Sequence, residues 1–296
     1  MSPRIAVVGS INIDVVVRSR GLPRPGETLV GESFLLCCGG KGANQAVMAA
    51  RLGARVAMVG VVGHDLFGEH ALRNLAMEGI DARHVRRDGG AATGMAAILV
   101  DEQGENRIII LPGANHRLTA ADVESAADDI RAARLLLCQL EVPVAATHAA
   151  LRLARAVGAT TILNPAPASS LTDDLLALVD LCIPNETELA SLTGLSDAEA
   201  GARALLRRGP SLVIVTLGDQ GALIVDSRRS EHVPAVAVEV VDTSGAGDAF
   251  IGSLAVFLGE GAPLAEAVRR ANAVAALTVT RPGTQAAFPQ RAALGL

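Results

Sequence analysis

The chain has 296 residues, of which 50% are hydrophobic and 19% are charged, and its formal net charge is −5. This composition provides enough apolar sequence for a large folded core and excludes an intrinsically disordered protein. An acidic chain without Trp or Tyr also lacks the basic patches and stacking side chains of a nucleic-acid surface. No apolar run approaches the roughly 18 residues that cross a bilayer. No signal peptide precedes the first apolar run, so we expect a cytoplasmic protein that does not enter the membrane.

Two details of composition concern residue types that often carry chemistry. The cysteines have neither paired spacing nor neighbouring histidines suited to zinc, so we expect reduced thiols at Cys37, Cys38, Cys138 and Cys182. Of the 26 basic residues, only Lys41 is a lysine. A compact ammonium group fits where a guanidinium group does not, so Lys41 is a candidate functional residue, with chance placement as the alternative.

Short apolar runs alternate with helical patterns along most of the chain. This alternation predicts a doubly wound α/β fold with a mostly parallel sheet covered by helices on both faces. The predicted strands are Ile5–Gly9, Arg55–Val62, Leu135–Gln139, Thr160–Leu163, Leu181–Pro184, Val213–Thr216 and Val236–Val241. The predicted helices are Lys41–Leu52, Phe67–Glu78, Ala120–Ala133, Val144–Val157, Glu186–Leu192, Ala198–Arg208, Ala249–Leu258 and Leu264–Leu277.

Two segments, about 12–34 and 94–112, depart from this alternation. The first carries the apolar runs Val15–Val17 and Thr28–Val30 around two prolines, and the second has apolar runs on both sides of the polar turn Asp101–Asn106. Both patterns are typical of hairpin strands, which need another surface to cover them. We therefore expect a small second sheet, inserted into a single domain that spans residues 1–296.

The stretch Asp242–Asp248 lies between a predicted strand and a predicted helix. Gly245 and Gly247 allow positive φ and close approach of a ligand, so several N–H groups can point at an anion from the helix N-terminus. A carboxylate beside a bound phosphate is electrostatically unfavourable, so its presence there indicates a task such as taking a proton from an attacking hydroxyl. We therefore interpret Asp248 as a general base. The alternative is that Asp248 only complements the helix dipole and the glycines only form a turn.

Two nucleotide-binding motifs fit the glycine-rich stretches poorly. A dinucleotide motif needs a third glycine, but Phe250 stands at that position after Gly245 and Gly247. A P-loop needs Ser or Thr after its lysine, but Gly42 follows Lys41. The second stretch, Gly39–Asn44, is therefore not a P-loop.

Polar residues follow several predicted strands, where ligands gather in open α/β sheets. Asn12 and Asp14 alternate after the first strand and face the same way, and their amide and carboxylate groups suit a polyol. Taken alone, this pair also fits an Asx turn, and Glu141 fits the start of a helix. The stretches Pro184–Glu188 and Thr216–Gly221 likewise fit a helix cap and a hairpin turn.

Together these stretches resemble the ribokinase-like carbohydrate kinases. Asp242–Asp248 resembles the C-terminal signature of that family, and Gly39–Asn44 resembles its N-terminal sugar-binding signature. The resemblance extends from Asn12 to Gly283, with the motifs in the family's order. It implies a doubly wound α/β fold whose small β-sheet forms a lid over the sugar and pairs two subunits into a homodimer.

The resemblance also implies the site residues. The sugar is expected to contact Asn12, Ile13, Asp14, Gly40, Lys41, Gly42, Ala43, Asn44, Glu141 and Asp248. ATP is expected to contact Asn185, Glu188, Thr216, Leu217, Gly218, Asp219, Gln220, Gly221, Gly247 and Asn272, with Mg²⁺ ordered by Glu188 through water. K⁺ is expected near Asp242, Ser244, Thr278, Arg281, Gly283 and Ala287. Ala287 stands where a serine would supply a side-chain oxygen, so its ligand would be backbone or water.

The implied activity is that of an ATP-dependent sugar kinase that phosphorylates the 5-hydroxyl of D-ribose. Asp248 would take the proton, and the N–H groups of Gly245, Ala246 and Gly247 would stabilise charge on the transferred group. Without Trp or Tyr, adenine should lie in an aliphatic slot. Related kinases of deoxyribose, fructose or nucleosides stay open, as do a non-catalytic sugar sensor and a dinucleotide oxidoreductase.

Overall fold

A computed structural model describes residues 2–103 and 105–295 of the chain. Its strands are β1 (Arg4–Val8), β2 (Asn12–Arg18), β3 (Ser33–Gly39), β4 (Arg55–Gly63), β5 (Asp81–Asp88), β6 (Gly94–Val100), β7 (Asn106–Leu111), β8 (Leu135–Cys138), β9 (Thr160–Leu163), β10 (Leu181–Cys182), β11 (Leu212–Thr216), β12 (Ala222–Val225) and β13 (Ser230–Val233).

The α-helices are α1 (Lys41–Arg51), α2 (Leu66–Met77), α3 (Ala120–Ser125), α4 (Ala127–Ala132), α5 (Val144–Ala156), α6 (Asp173–Leu176), α7 (Glu186–Thr193), α8 (Ala198–Leu206), α9 (Ala246–Gly259) and α10 (Leu264–Val279). Short 3₁₀ helices lie at Gly113–Arg117, Gly218–Gln220 and Arg291–Leu294. Within the described ranges, none of the helices has the length and apolar character that crossing a membrane requires.

The larger sheet has nine strands in the order β13-β12-β11-β10-β9-β8-β1-β4-β5. The strands from β11 to β5 run parallel, and β12 and β13 extend the sheet antiparallel at one edge. The strand order reverses at β1, which lies between β4 and β8. In open α/β sheets a ligand site forms at the carboxyl ends of the strands beside such a reversal.

Helices cover both faces of this sheet, because successive side chains of each central strand enter opposite cores. Ile5 and Val7 of β1 belong to the core that packs against α1, α9 and α10. Ala6 and Val8 belong to the other core, which packs against α5, α7 and α8. A strand buried on both faces reads as a continuous apolar run, which is why the sequence pattern predicts it.

The smaller sheet has four strands in the order β3-β2-β6-β7. Strand β2 pairs antiparallel with β3 and parallel with β6, and its first residue, Asn12, lies beside Gly39 and Gly94. The other end of the sheet projects into solvent, with Phe34 70% exposed and Ile109 63% exposed. One end of this sheet therefore meets the carboxyl end of β1, while large apolar side chains on β3 and β7 stay exposed among the residues that the structure describes.

The structure confirms the mixed α/β fold with a second sheet and corrects several predicted elements. The predicted strand Val236–Val241 has no regular structure, and its Val side chains are exposed or line a cavity instead of pairing in a sheet. The predicted helix Ala120–Ala133 is two short helices that meet at Ala126. Strand β3 begins at Ser33 and not at Thr28. Strand β5 was not predicted, because five of its residues are charged and it has no apolar run.

Candidate active site

Polar residues end or follow five neighbouring strands of the large sheet. They are Ser10 after β1, Glu141 after β8, Asn164 after β9, Asn185 after β10 and Thr216 at the end of β11. Because these strands are parallel, their carboxyl ends meet along a single edge of the sheet. The same edge receives the N-terminus of α9 and the base of the four-stranded sheet. The site therefore lies where the strand order reverses.

Helix α9 begins at this edge with a glycine in the left-handed region. Gly245 has φ 75° at the N-cap, and an added Cβ would lie 2.5 Å from Thr284 Cγ2, so only glycine fits. Asp248 follows in the first helical turn. A cavity of about 190 Å³ opens there, lined by Lys41, Asn164, Ile183, Asn185, Glu188, Thr216, Thr243, Gly245, Ala246, Gly247, Asp248 and Ile251.

Asp248 is buried and held by two side-chain amides. Its Oδ2 accepts from Asn44 Nδ2 at 2.9 Å, and its Oδ1 accepts from Gln45 Nε2 at 3.0 Å. Burial raises the pKa of Asp248, and Lys41 together with the two amides offsets this only in part. A carboxylate with a raised pKa, fixed at the wall of a cavity, suits proton abstraction near neutral pH.

Lys41 begins α1 on the other side of the same cavity. Burial lowers the pKa of its ammonium group, but Asp248, Glu141 and Glu188 more than compensate, so the net shift is upward. The Lys41 N–H donates to Glu141 Oε2 at 3.0 Å, and Ser10 Oγ donates to the same oxygen at 2.5 Å. The side chain of Lys41 therefore carries positive charge at physiological pH, beside three carboxylates.

Asp14 adds a further carboxylate to this group. An added Cβ at Gly39 would lie 2.3 Å from Asp14 Oδ2, so the carboxylate rests against the glycine of the adjacent strand. Burial, with the charges of Glu141 and Asp248, raises the pKa of Asp14 to about 6. Several hydrogen-bond acceptors thus converge around Lys41, as recognition of a polyol requires.

Asn12 is buried and fixed by a second asparagine. Its Oδ1 accepts from Asn115 Nδ2 at 2.7 Å, and Asn115 Oδ1 accepts from the Ile11 N–H at 2.9 Å. Asn115 therefore uses both ends of its amide to hold the chain between β1 and β2. Only the Oδ1 end of the Asn12 amide is held by Asn115.

A second, mostly apolar cavity of about 530 Å³ lies between α10 and the segment before α9. Its wall consists of Gly218, Asp219, Ala235, Val236, Ala237, Val238, Val240, Thr243, Ala246, Asn272, Ala275, Ala276 and Val279. A further cavity of about 380 Å³ shares Ala246 and Asn272 with it, and shares Asn185 and Gly247 with the cavity at Asp248. The three spaces form one cleft along the carboxyl edge of the sheet.

The loop before α9 and the segment after α10 meet at Asp242. Its two carboxylate oxygens accept from the N–H groups of Ser244, at 2.9 Å, and Gly283, at 2.8 Å. Although burial opposes it, these hydrogen bonds and the charge of Arg18 lower the pKa of Asp242. Thr278 is still inside α10, where its hydroxyl donates to the carbonyl of Val274 at 3.0 Å. Asp242 therefore joins the two segments that were expected to surround K⁺.

Comparison with known proteins decides the family. The model of the pfkB family carbohydrate kinases matches residues 2–291. The chain belongs to that family. As a pfkB-family kinase it is a phosphotransferase that acts on a sugar hydroxyl.

Relatives of this pfkB-family kinase are similar over almost their whole length. A deoxyribokinase from Salmonella typhi is 40% identical over 291 residues, which are 96% of this chain and 95% of that protein. A ribokinase from Mus musculus is 41% identical over 302 residues, or 99% of this chain and 94% of that protein. The structure of Arabidopsis thaliana ribokinase complexed with ribose and ATP matches with a TM-score of 0.91 and 31% identity, covering 99% of this chain and 98% of that one.

Some residues that the sequence predicts as ligand contacts have side chains or backbone groups with partners inside the protein. Ile13 and Ala43 lie in a hydrophobic core, and the N–H of Gly42 donates to Ser10 Oγ at 3.3 Å. Leu217 packs against the other core, and the carbonyl of Gln220 accepts from His232 Nε2. The side chains of Ile13, Ala43 and Leu217 pack against the cores, so a ligand contact of these residues would come from the backbone.

Other predicted residues lie in the cleft but already have structural partners. Asn185 is the N-cap of α7: its Oδ1 accepts from the Glu188 N–H, and Glu188 Oε2 accepts from the Asn185 N–H. The helix cap that the sequence analysis gave as the alternative is therefore present. Asn272 Nδ2 donates to the carbonyls of Val233 and Pro234. Ala246 N–H donates to Thr243 at 3.3 Å, which weakens its case as a donor to phosphate.

The site also contains residues that the sequence analysis missed. Gln45 donates directly to Asp248, and Gln285 supports Asp248 through Asn44. Asn115 donates to Asn12, and Ser10 donates to Glu141. Gln45 carried a signal, because it is a buried amide among apolar residues of α1. Gln285 and Asn115 carried none, since each meets its partner across more than 100 positions of the sequence.

Proposed function

We propose that this pfkB-family kinase transfers the γ-phosphoryl group of ATP to the 5-hydroxyl of D-ribose, with Asp248 as the general base. The observation that carries the proposal is the buried Asp248 carboxylate at the start of α9, which shares one cavity with Lys41 and Gly247. The ribose and ATP named for the Arabidopsis ribokinase support the choice of both substrates.

In this mechanism the sugar hydroxyl lies beside Asp248 and loses its proton as the phosphoryl group arrives. Asn44 and Gln45 hold the two carboxylate oxygens, so the base has a fixed direction. The N–H groups of the first turn of α9 have no partners within the helix and lie at the positive end of its dipole. In our proposal Gly245 and Gly247 donate to the transferred group, and Lys41 adds a positive charge.

The sugar is proposed to bind between the two sheets. Asn12 Nδ2, the Asp14 carboxylate and the Lys41 ammonium group supply donors and acceptors for its hydroxyls. Glu141 contributes through the oxygen that is not held by Ser10 and the Lys41 N–H. Gly40 and Asn44 lie at the same end of α1 and complete the proposed pocket.

The remainder of the cleft is proposed to hold ATP. The phosphates would lie near Asn185 and Thr216, and adenine would fill the aliphatic cavity between Gly218 and Ala275. That cavity has no aromatic side chain among its described lining residues, which agrees with the slot expected for a chain without Trp or Tyr. Asp219, Gly221 and Asn272 are its proposed polar neighbours.

Two cations are part of the proposal. Glu188 faces the phosphate end of the cleft, where its carboxylate suits a Mg²⁺ that keeps several waters. For K⁺, the carboxylate oxygens of Asp242 already accept N–H groups and Ala287 has no side-chain oxygen. Backbone carbonyl oxygens are suitable ligands for K⁺, so we propose that these residues bind K⁺ through their carbonyls. Proposed sources are Asp242, Ser244, Thr278, Arg281, Gly283 and Ala287.

We also propose that residues 1–296 form one domain in which segments of about 12–34 and 94–112 act as a lid, and that the lid pairs two copies of the chain. The exposed Phe34 and Ile109 support the pairing, because uncovered apolar strands invite association. Cytoplasmic location stays a prediction from the sequence.

Deoxyribose is the second candidate acceptor. The Salmonella typhi deoxyribokinase is as similar to this chain as the Mus musculus ribokinase. The two sugars differ by one hydroxyl, and a site built to bind that hydroxyl loses affinity when it is absent.

The test is ADP release with ribose, deoxyribose, fructose and adenosine, each in sodium and in potassium buffers. We expect the highest kcat/KM with ribose and a higher rate in potassium. Asp248→Asn should bind both substrates yet lose about 10²- to 10⁴-fold in turnover. Near-normal turnover of Asp248→Asn would show that Asp248 is not the general base. Ribose binding without ADP release would indicate a sugar sensor.

A further inference from the structure

Gln285 lies in the segment after α10 and is buried behind the site. Its Nε2 donates to Asn44 Oδ1 at 2.9 Å, and its Oε1 accepts from Asn74 Nδ2 at 2.8 Å. Arg51 Nη1 donates to the backbone carbonyl of Gln285 at 2.6 Å, which anchors this part of the segment. Gln285 thus connects Asn74 of α2 to Asn44 of α1, which contacts Asp248.

These contacts determine which way the Asn44 amide points. With Oδ1 occupied by Gln285 Nε2, Asn44 presents Nδ2 to Asp248. In the opposite orientation, two N–H groups would face each other at Gln285 and two oxygens would face each other at Asp248. Both contacts are unfavourable for buried groups.

We propose that Gln285 is a positioning residue for phosphoryl transfer: it locks the Asn44 amide so that Asn44 always donates to Asp248. This inference rests on the proposed role of Asp248 as the base. Gln285 itself does not contact the cavity, and its effect on the reaction passes through Asn44. A neutral amide relay holds the carboxylate in direction without adding charge to a site that is already crowded with charges.

The charged groups that face Asp248 come from several elements. They are Lys41 from α1, Asp14 from β2, Glu141 after β8 and Glu188 from α7. The donor from Asn44 stabilises the ionised form of Asp248 against burial and against the other carboxylates. Without Gln285, only Asp248 holds the Asn44 amide, so the ionised form loses part of this support, and the pH needed to form the base rises.

The first test is Gln285→Met, which keeps the length of the side chain and removes both hydrogen bonds. We expect kcat to fall about tenfold at pH 7, and the acid limb of the kcat–pH profile to move up by about one pH unit. Ser253→Ala is the matched control, because it removes a buried hydrogen bond of α9 to the carbonyl of Phe250 and leaves Asp248 untouched. It should lower stability without moving the acid limb.

The second test is Gln285→Glu, which also covers the case that Gln285→Met does not fold. A protonated glutamic acid donates to Asn44 and accepts from Asn74, as the amide does, whereas the ionised form has no donor. Relative to the wild type, this variant should therefore keep most turnover at low pH and lose it as the pH rises. A purely structural role predicts no such dependence while the protein remains folded.

The outcomes separate this inference from the proposed function. A wild-type acid limb in Gln285→Met, or a loss in Gln285→Glu that does not change with pH, overturns the positioning role. If Asp248→Asn retains turnover, the general base itself is wrong and the inference falls with it. Loss of turnover in Asp248→Asn together with both pH effects supports the two conclusions jointly.

Discussion

Asp14 on β2 and Gly39 on β3 are diagonal neighbours across two paired strands, with the Asp14 carboxylate in the space that a side chain at position 39 would occupy. The carboxylate is thereby held at the base of the four-stranded sheet, close to Glu141 and Asp248, whose charges contribute to its raised pKa. A cluster of carboxylates around one lysine is costly in the free protein, and a site of this kind is retained for binding and not for stability.

The first prediction concerns the pH dependence of folding. The folded state raises the pKa of Asp14 to about 6, from 3.8, so it holds the proton to a higher pH than the unfolded state does. Asp14 therefore favours folding at acidic pH, and this contribution is lost as the pH rises from about 4 through 6. Above pH 6, Asp14→Asn should be more stable than the wild type by about 1–2 kcal/mol.

Urea unfolding at pH 5 and pH 7.5 checks this prediction. The wild type should lose more stability than Asp14→Asn between the two pH values, and Asp14→Asn should bind the sugar poorly. Equal changes in the two proteins would show that Asp14 titrates with an ordinary pKa.

The fold and the signature residues were predictable because local patterns specify them. Continuous apolar runs gave the central strands, and the glycine-rich stretches gave the starts of α1 and α9. The alternating pattern of Val236–Val241 gave a wrong strand prediction, because these residues form an apolar wall of a cavity and not a strand. The same periodicity serves both purposes, so the sequence alone does not distinguish them.

The support of the site was not predictable, because it depends on contacts between distant positions. Gln285 meets Asn44 across 241 positions, and Asn115 meets Asn12 across 103. Neither amide stands in a local pattern that marks it as buried. Such residues become visible only when the topology brings the carboxyl ends of the strands together.

The second prediction separates the two glycines at the start of α9. Gly245 has φ 75° and no room for a Cβ beside Thr284, whereas a Cβ at Gly247 meets no atom within 4 Å. Gly245→Ala should therefore lower stability by about 1–3 kcal/mol. Gly247→Ala should fold normally but lose ATP binding and turnover, because its methyl group enters the cavity.

Thermal unfolding and nucleotide binding measured on both variants test the contrast. If Gly247→Ala binds ATP as tightly as the wild type, the phosphates do not approach the start of α9. If Gly245→Ala is as stable as the wild type, the backbone there is not restricted to glycine.

The third prediction uses Lys41, the single lysine of the chain. Its buried ammonium group has a raised pKa, so an amine-selective acetylating reagent should react slowly at neutral pH and faster as the pH rises. Activity should fall in proportion to acetylation of Lys41, followed by peptide mass mapping, and ribose with ATP should protect it. Full acetylation of Lys41 with full activity would exclude this residue from the site.

The fourth prediction concerns the exposed end of the four-stranded sheet. Phe34 is 70% exposed there, and a homodimer formed through this sheet would bury it. Phe34→Asp should weaken self-association at least about tenfold, since a charge in a buried interface costs more than 1–2 kcal/mol. Sedimentation velocity over a range of protein concentrations measures the change.

Met77→Asp is the control for this experiment, because Met77 is 73% exposed on α2 and lies outside the small sheet. It should leave the association unchanged. If both substitutions act equally, association is nonspecific, and if neither acts on a dimer that forms, the copies pair through another surface. If the wild type sediments as a monomer at every concentration, the apolar strands stay exposed, and they serve the sugar site alone.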